Sequence, residues 1–248
     1  MLRLVMPEAK TLRYSIEAIS NLIDEGSFKI SENGIYMRAM DPSRIAYIEL
    51  QLSRDSFETI EVDEEVSVGL NLGELKKRFS AAKPSDYVEI SMDKGFFVIR
   101  FKGKGTTTFK LPIIEIEEED VPVPNLTFRA NAKLRSSALK EGVKKVGIVS
   151  DTIKFILTRE GVSMVGESDL GEVEFLLERG DEDLISLEVE EEAKASYTLS
   201  YIEDVVKATA ASEVVSISLN TDHPLRMEFF ISGDAGRMIF LLAPRIEQ

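Results

Sequence analysis

The side chains that most often carry acid–base, thiol or metal chemistry are scarce in this sequence. It has no cysteine and one histidine, His223, so thiol nucleophiles, zinc fingers and most imidazole-based proton transfer are excluded or strained. Carboxylates are abundant, and two runs concentrate them: Glu115 with Glu117–Asp120, and Glu188–Glu192. Such runs could hold magnesium or manganese in a carboxylate-metal enzyme. Both fall in connections expected to be exposed, with no base or nucleophile nearby, so solvated charge is the more economical reading. No catalytic residue, metal site or cofactor is expected.

What remains is the chemistry of charge and its placement. The net charge of −14 over 248 residues argues, as a total, against phosphate binding, which needs Lys and Arg to displace counterions. The distribution argues differently. Four segments have helical period: Glu8–Leu22, with Leu12, Ile16, Ile19 and Ile23 in step; Leu72–Ala82, entered through Asn71 as N-cap; Lys133–Val146; and Tyr201–Ala211. Counting the second as far as Lys83, these carry net 0, +3, +4 and −1, leaving −20 on everything else. Their cations are Lys10 and Arg13; Lys76, Lys77, Arg78 and Lys83; Lys140, Lys144 and Lys145 with Lys133 and Arg135; and Lys207. Helices sharing one face would give a basic surface on an acidic protein, able to hold phosphates in a sequence-independent, salt-sensitive way; the alternative is a set of solvated helix faces. No zinc-finger spacing, helix-turn-helix or aromatic single-strand platform accompanies the charge, so backbone contact without base readout is the consistent expectation.

The elements around these helices are strands. Alternating, β-branched stretches run over Ser27–Ile30, Gly34–Met40, Ile45–Leu52, Val66–Leu70, Tyr87–Met92, Phe96–Phe101 and Thr106–Leu111, and in the second half over Ile153–Leu157, Val162–Glu167 and Val173–Glu178. The layout repeats. Phe28-Lys29-Ile30 then Gly34-Ile35-Tyr36-Met37 resembles Ile153-Lys154-Phe155 then Gly161-Val162-Ser163-Met164, with the two glycines 127 positions apart. The expected class is α+β with two similar domains, 1–112 and 127–248, joined by a linker over 113–126 whose acidic run and prolines, Pro122 and Pro124, favour an extended, exposed strap. No secretory signal or membrane-spanning apolar run is read, so a cytoplasmic, nucleoid-associated location is expected.

Met40-Asp41-Pro42-Ser43-Arg44-Ile45 and the terminal Leu242-Ala243-Pro244-Arg245-Ile246-Glu247 closely resemble the proliferating cell nuclear antigen family, most of all its archaeal members. Val68–Leu72, Asp204–Thr209 and Asp222–Leu225 extend the resemblance over nearly the whole chain. A checkpoint-clamp subunit would share the fold but differ at the terminal motif.

The resemblance implies two clamp domains per subunit, with antiparallel sheets outside and two helices on the inner face. Subunits join head to tail into a trimeric, non-catalytic ring that encircles duplex DNA as a processivity factor in replication and repair. Lys77 and Lys207 correspond to family lysines facing the hole; Lys10, Arg13, Lys76, Arg78, Lys83, Lys140, Lys144 and Lys145 are assigned there by helix location. Implied partners are double-stranded DNA, a clamp loader, and DNA polymerase, flap endonuclease and DNA ligase, which carry a short Gln–aliphatic–aromatic motif. The pocket for that motif would use Met40, Arg44, Ile45, Tyr47, Val121, Val123, Leu126, Leu242, Ala243, Pro244 and Ile246. The ring interface would pair Thr107, Thr108, Phe109, Lys110 and Leu111 of one subunit with Glu174, Phe175, Leu176 and Leu177 of the next. Whether the ring is built from one kind of chain or several is left open. Ser163 stands where eukaryotic members carry a regulatory lysine, so that modification is not expected.

Overall fold

The structure is a computed structural model that describes residues 1–116 and 125–246. Expectations about Glu117–Asp120, Val121, Pro122, Val123, Pro124 and Glu247 lie outside the described residues. The chain forms two compact units. One comprises Met1–Pro42, Ile48–Val121 and Phe230–Met238; the other Ser43–Tyr47, Pro122–Phe229 and Ile239–Gln248. Each is mostly one half of the chain and borrows a short strip from the other.

The first half carries β1 (Leu2–Met6), α1 (Lys10–Ile19), β2 (Glu25–Ser31), β3 (Gly34–Met40), β4 (Ala46–Ser53), β5 (Thr59–Val62), β6 (Val66–Asn71), α2 (Leu72–Ser80), β7 (Tyr87–Asp93), β8 (Phe96–Lys102) and β9 (Thr106–Pro112). Five of these strands form an antiparallel sheet in the order β5-β1-β7-β8-β9, and β2 lies between β3 and β6. The second half carries β10 (Ala130–Arg135), α3 (Ser136–Val146), β11 (Thr152–Leu157), β12 (Gly161–Ser168), β13 (Gly171–Glu178), β14 (Leu184–Val189), β15 (Ala193–Thr198), α4 (Leu199–Val206), β16 (Val214–Leu219), β17 (Leu225–Ile231) and β18 (Gly236–Leu242). Here the order β13-β12-β11-β15 makes one sheet, and β10 pairs with both β14 and β16.

The repeat read from sequence is present in the register. Lys29 faces Tyr36 across β2–β3, and Ile156 faces Ser163 across β11–β12, each pair displaced by the same 127 positions. Gly34 and Gly161 open the equivalent strands. A Cβ at Gly34 would lie 1.9 Å from the Leu52 carbonyl oxygen and one at Gly161 2.3 Å from that of Leu177, so both positions need the missing side chain.

Each unit packs a helix pair on its strands. Leu12, Ile16 and Ile19 of α1 and Leu72, Leu75 and Phe79 of α2 are buried, with Phe79 edge-on to Phe101 at 5.2 Å. In α3 the buried face is Ala138, Leu139, Gly142, Val143 and Val146, and in α4 it is Leu199, Ile202, Val205 and Val206. Asn71 caps α2 as expected, its Oδ1 accepting from the Glu74 N–H at 2.8 Å.

All four helices begin or end away from the sequence boundaries, α2 only by stopping at Ser80 instead of Ala82. The α1 helix starts at Lys10, not Glu8, and its first turn is satisfied from elsewhere in the chain, the Lys10 N–H donating to the Pro84 carbonyl at 3.0 Å. The region 130–135, part of which reads as helix, is strand β10, held by neighbours on both sides. Lys133 and Arg135 therefore leave the helix count. The last helix starts at Leu199 and finishes as a 3₁₀ turn over Lys207–Ala210. Helical residues then carry net +4 and the rest of the chain −18.

Candidate nucleic-acid face, peptide pocket and assembly edges

The cations of the first unit differ in how freely they can meet a ligand. Arg13 is half-buried, donating to the Ala82 carbonyl and lying 5.6 Å from the Tyr14 ring centre. Lys76 donates to Asn21 Oδ1 at 3.2 Å. Lys77 and Arg78 share one carboxylate, Glu74, with the Lys77 bond at 2.6 Å; these hydrogen bonds hold the Glu74 carboxyl below its ordinary range. Lys10 and Lys83 have no ion-pair partner among the described residues.

In the second unit Lys140 and Lys144 stand exposed, one turn apart on α3, again without an ion-pair partner among the described residues. Lys145 turns away from them. It pairs with Glu141 at 2.6 Å and lies 4.6 Å from the centre of the Phe175 ring on β13, a cation–π contact that ties the helix to that strand. Lys207 pairs with Asp204 at 2.6 Å. Exposed pairs of this sort are worth about 0–1 kcal/mol, so a phosphate can compete for their cations.

The residues assigned to the peptide pocket fall into separate groups. Within the second unit the Ala243 N–H donates to the Ile45 carbonyl at 2.9 Å, bringing the Ser43–Tyr47 strip beside the C-terminal segment. Arg44, Leu126, Ala243 and Ile246 are exposed, while Ile45 and Pro244 are half-buried. Tyr47 at 3 % and Leu242 at 1 % exposure lie beneath the surface and can support a ligand only from below. Met40, at the end of β3, is half-buried and belongs to the first unit. Val121 and Val123 lie outside the described residues.

Three of the sheet edges receive a hydrogen bond from elsewhere in the chain. The outer edge of β6 receives a hydrogen bond from Ile114 N–H to Gly69 O at 3.0 Å, and that of β15 one from Arg245 N–H to Ser196 O at 2.7 Å. The Arg179 guanidinium donates to Leu187 O on β14, and β5 has only four residues. The long edges without such cover among the described residues are β9, with Thr107, Thr108 and Lys110 exposed and Phe109 half-buried, and β13, with Glu174 and Leu176 exposed and Phe175 half-buried. Leu111 and Leu177 point into their own cores, so their contribution to an edge is through the backbone. Ser163, on β12, is buried and donates to Glu174 Oε1 at 2.7 Å.

The sequence reading did not find these edge covers, nor the Lys145–Phe175 contact; Ile114–Gly69, Arg245–Ser196 and Lys145–Phe175 each join residues thirty or more positions apart. Of the acidic runs, Glu188 is an exposed residue of β14 and Glu191 pairs with Arg129 at 2.6 Å. No group of three His, Asp or Glu side chains among the described residues is placed to hold a metal.

A duplicated α+β unit with a helix pair in each copy and, among the described residues, two long edge strands without cover is the class of architecture that this geometry defines. The chain belongs to the proliferating cell nuclear antigen family: its N-terminal domain matches residues 1–120 and its C-terminal domain residues 122–245. A DNA polymerase sliding clamp of Thermococcus gammatolerans is 41 % identical over 99 % of this chain and 98 % of that protein, and one of Thermococcus onnurineus is 43 % identical over 98 % of each. A crystal structure of the proliferating cell nuclear antigen of Thermococcus kodakaraensis superposes with a TM-score of 0.93 at 30 % identity, covering 99 % of this chain and 100 % of that one.

Proposed function

We propose that this chain is the subunit of a DNA sliding clamp, a trimeric ring that encloses duplex DNA without reading its sequence and keeps a polymerase on its template. The observation that supports this most directly is the charge separation within a chain that matches the clamp family end to end. Helical residues carry net +4 against −18 elsewhere. A ring with α1–α4 turned inward would present phosphates with cations and keep its acidic remainder away from DNA. Lys10, Lys83, Lys140 and Lys144 are the cations best placed for this, because no carboxylate among the described residues pairs with them. Arg13, Lys76, Lys77, Arg78 and Lys207 serve after exchanging a partner, and Lys145 acts mainly on β13.

The same reading makes the strip around Ile45 and Ala243, with Arg44, Pro244 and Ile246, the seat for partner peptides. A clamp loader, flap endonuclease and DNA ligase are the partners proposed beside polymerase, and the working location is the DNA of the cytoplasm. The protein acts by enclosure and recruitment and performs no reaction of its own.

The test is topological. After loading, the protein should stay with nicked circular DNA through gel filtration at high salt and be lost when that DNA is linearised. Equal retention on linear and circular DNA would overturn the clamp reading.

A further inference from the structure

Asn33 and Gly34, at the turn between β2 and β3, form the sole Asn–Gly step in the chain; Asn21, Asn71, Asn125, Asn131 and Asn220 are all followed by residues with a side chain. We infer that this turn is a site of self-modification: with no enzyme, Asn33 loses ammonia through a succinimide closed by the Gly34 nitrogen and ends as aspartate or isoaspartate. Such a change limits the covalent lifetime of the subunit whether or not it serves as a clamp.

Asparagine is among the thermolabile residues, and the route is set by its neighbour. The Gly34 nitrogen bonds to Asn33 Cγ, the Cγ–Nδ2 bond breaks, and ammonia leaves with the Gly34 proton. Water then opens the ring. Cleavage of the new N–Cγ bond returns an ordinary main chain bearing an aspartate side chain; cleavage at the Asn33 main-chain carbonyl leaves the chain running through Cβ and Cγ as isoaspartate. One water is consumed and one ammonia released, with no oxidant or reductant. The step needs a carboxamide free to swing and a following residue with no side chain to obstruct the ring.

Among the described residues both conditions meet at this turn alone. Asn33 is exposed; its main-chain N–H donates to Ser31 Oγ at 3.2 Å, while its carboxamide has no hydrogen-bond partner among the described residues. Gly34 pairs with Ser31 as the last rung of the β2–β3 ladder, and a terminal rung opens without unfolding the strands behind it. Other carboxamides are held. Asn21 donates to Glu17 O at 2.8 Å and accepts from Lys76, Asn71 accepts from the Glu74 N–H, and Asn220 donates to Thr127 O at 2.8 Å. The internal repeat supplies a contrast: the equivalent turn of the second half is Glu160–Gly161, which keeps the glycine and lacks the amide. Neither glycine can be given up, because a Cβ would strike the Leu52 or the Leu177 carbonyl oxygen, so the asparagine alone makes the first turn reactive. Isoaspartate lengthens the main chain by one atom beside Gly34, whose close approach to Leu52 O leaves no slack, so the product is less stable than the parent.

The test ages the full chain below its melting temperature at a series of mildly alkaline pH values and follows every asparagine by peptide mass spectrometry. The peptide holding Asn33 should lose its native form first, gaining the mass of O in place of NH. Its rate should rise in proportion to hydroxide, because the attacking nitrogen must shed its proton. Part of the product should be isoaspartate, and the aged protein should melt at a lower temperature than the fresh one. Asn33→Gln keeps the amide but would have to close a larger, slower-forming ring, so it should hold its mass through the same incubation and start from the wild-type melting temperature. A folded protein that keeps Asn33 intact while the urea-unfolded chain converts it, or another asparagine that reacts first, would overturn the inference. So would an Asn33→Gln variant that gains the same mass in that peptide at the wild-type rate.

Discussion

Glu89, on β7, is the residue on which the first unit concentrates charge. Its carboxylate accepts from Lys102 at 2.9 Å and from Arg100, with Arg3 at 3.7 Å, while only 11 % of the side chain is exposed. The Lys102 hydrogen bond is the main cause that holds its carboxyl below the ordinary range, against the opposing effect of burial. A carboxyl depressed in the folded state stabilises above its unfolded pKa, and that stability is lost as pH falls through the folded value. Because the cations are well exposed, Glu89→Gln should cost only about 1–2 kcal/mol at neutral pH. The melting-temperature gap between variant and wild type should then close as the pH is lowered below the carboxylate range; a gap independent of pH would mean that Glu89 acts through packing. Reading single residues worked where the partner was local, as at Asn71, whose cap lies three positions away. It did not reveal the surroundings of Lys145, which pairs with Glu141 and lies against Phe175, thirty residues on.

At the scale of elements, α3 and β13 behave as one piece. A Cβ on Gly142 would lie 2.3 Å from Met164 Cε and 2.8 Å from the Phe175 ring, so this glycine sets how closely the helix approaches β12 and β13. Gly142→Ala gains helix propensity but must displace both side chains, for a net loss of about 1–3 kcal/mol. The expected outcome is a lower melting temperature together with weaker assembly in light scattering, since the displaced Phe175 belongs to an open edge; unaltered assembly would show that β13 absorbs the shift. Elements with a strong period, β2, β3, β7, β8, α1 and α2, were legible in sequence to within a few residues. The β10–α3 junction was not, because Ala132, Leu134, Ala138 and Leu139 satisfy a helical count while pairing to β14 and β16 decides the strand. Which edges stay open was equally hidden, being settled by Ile114 and Arg245 arriving some 45–49 residues along the chain and by the Arg179 side chain reaching Leu187 O.

At the scale of the whole molecule, a clamp must satisfy two demands that pull apart: it must hold DNA indefinitely and yet let it slide. Enclosure meets the first without any contact energy, so the cations are free to be few and weakly held. Lys140 and Lys144, exposed on α3 and without an ion-pair partner among the described residues, are the residues on which contact with phosphate should chiefly depend. Replacing both by Ala removes no packing, so native mass and melting temperature should hold. Each phosphate contact contributes roughly 0.9 to the slope of log affinity against log salt, so the salt dependence of association with DNA should flatten by about that amount per lysine engaged. Retention on circular DNA, once loaded, should survive even at high salt. A double variant that leaves the circle as readily as it leaves linear DNA would show that contact, and not enclosure, had been holding the protein there.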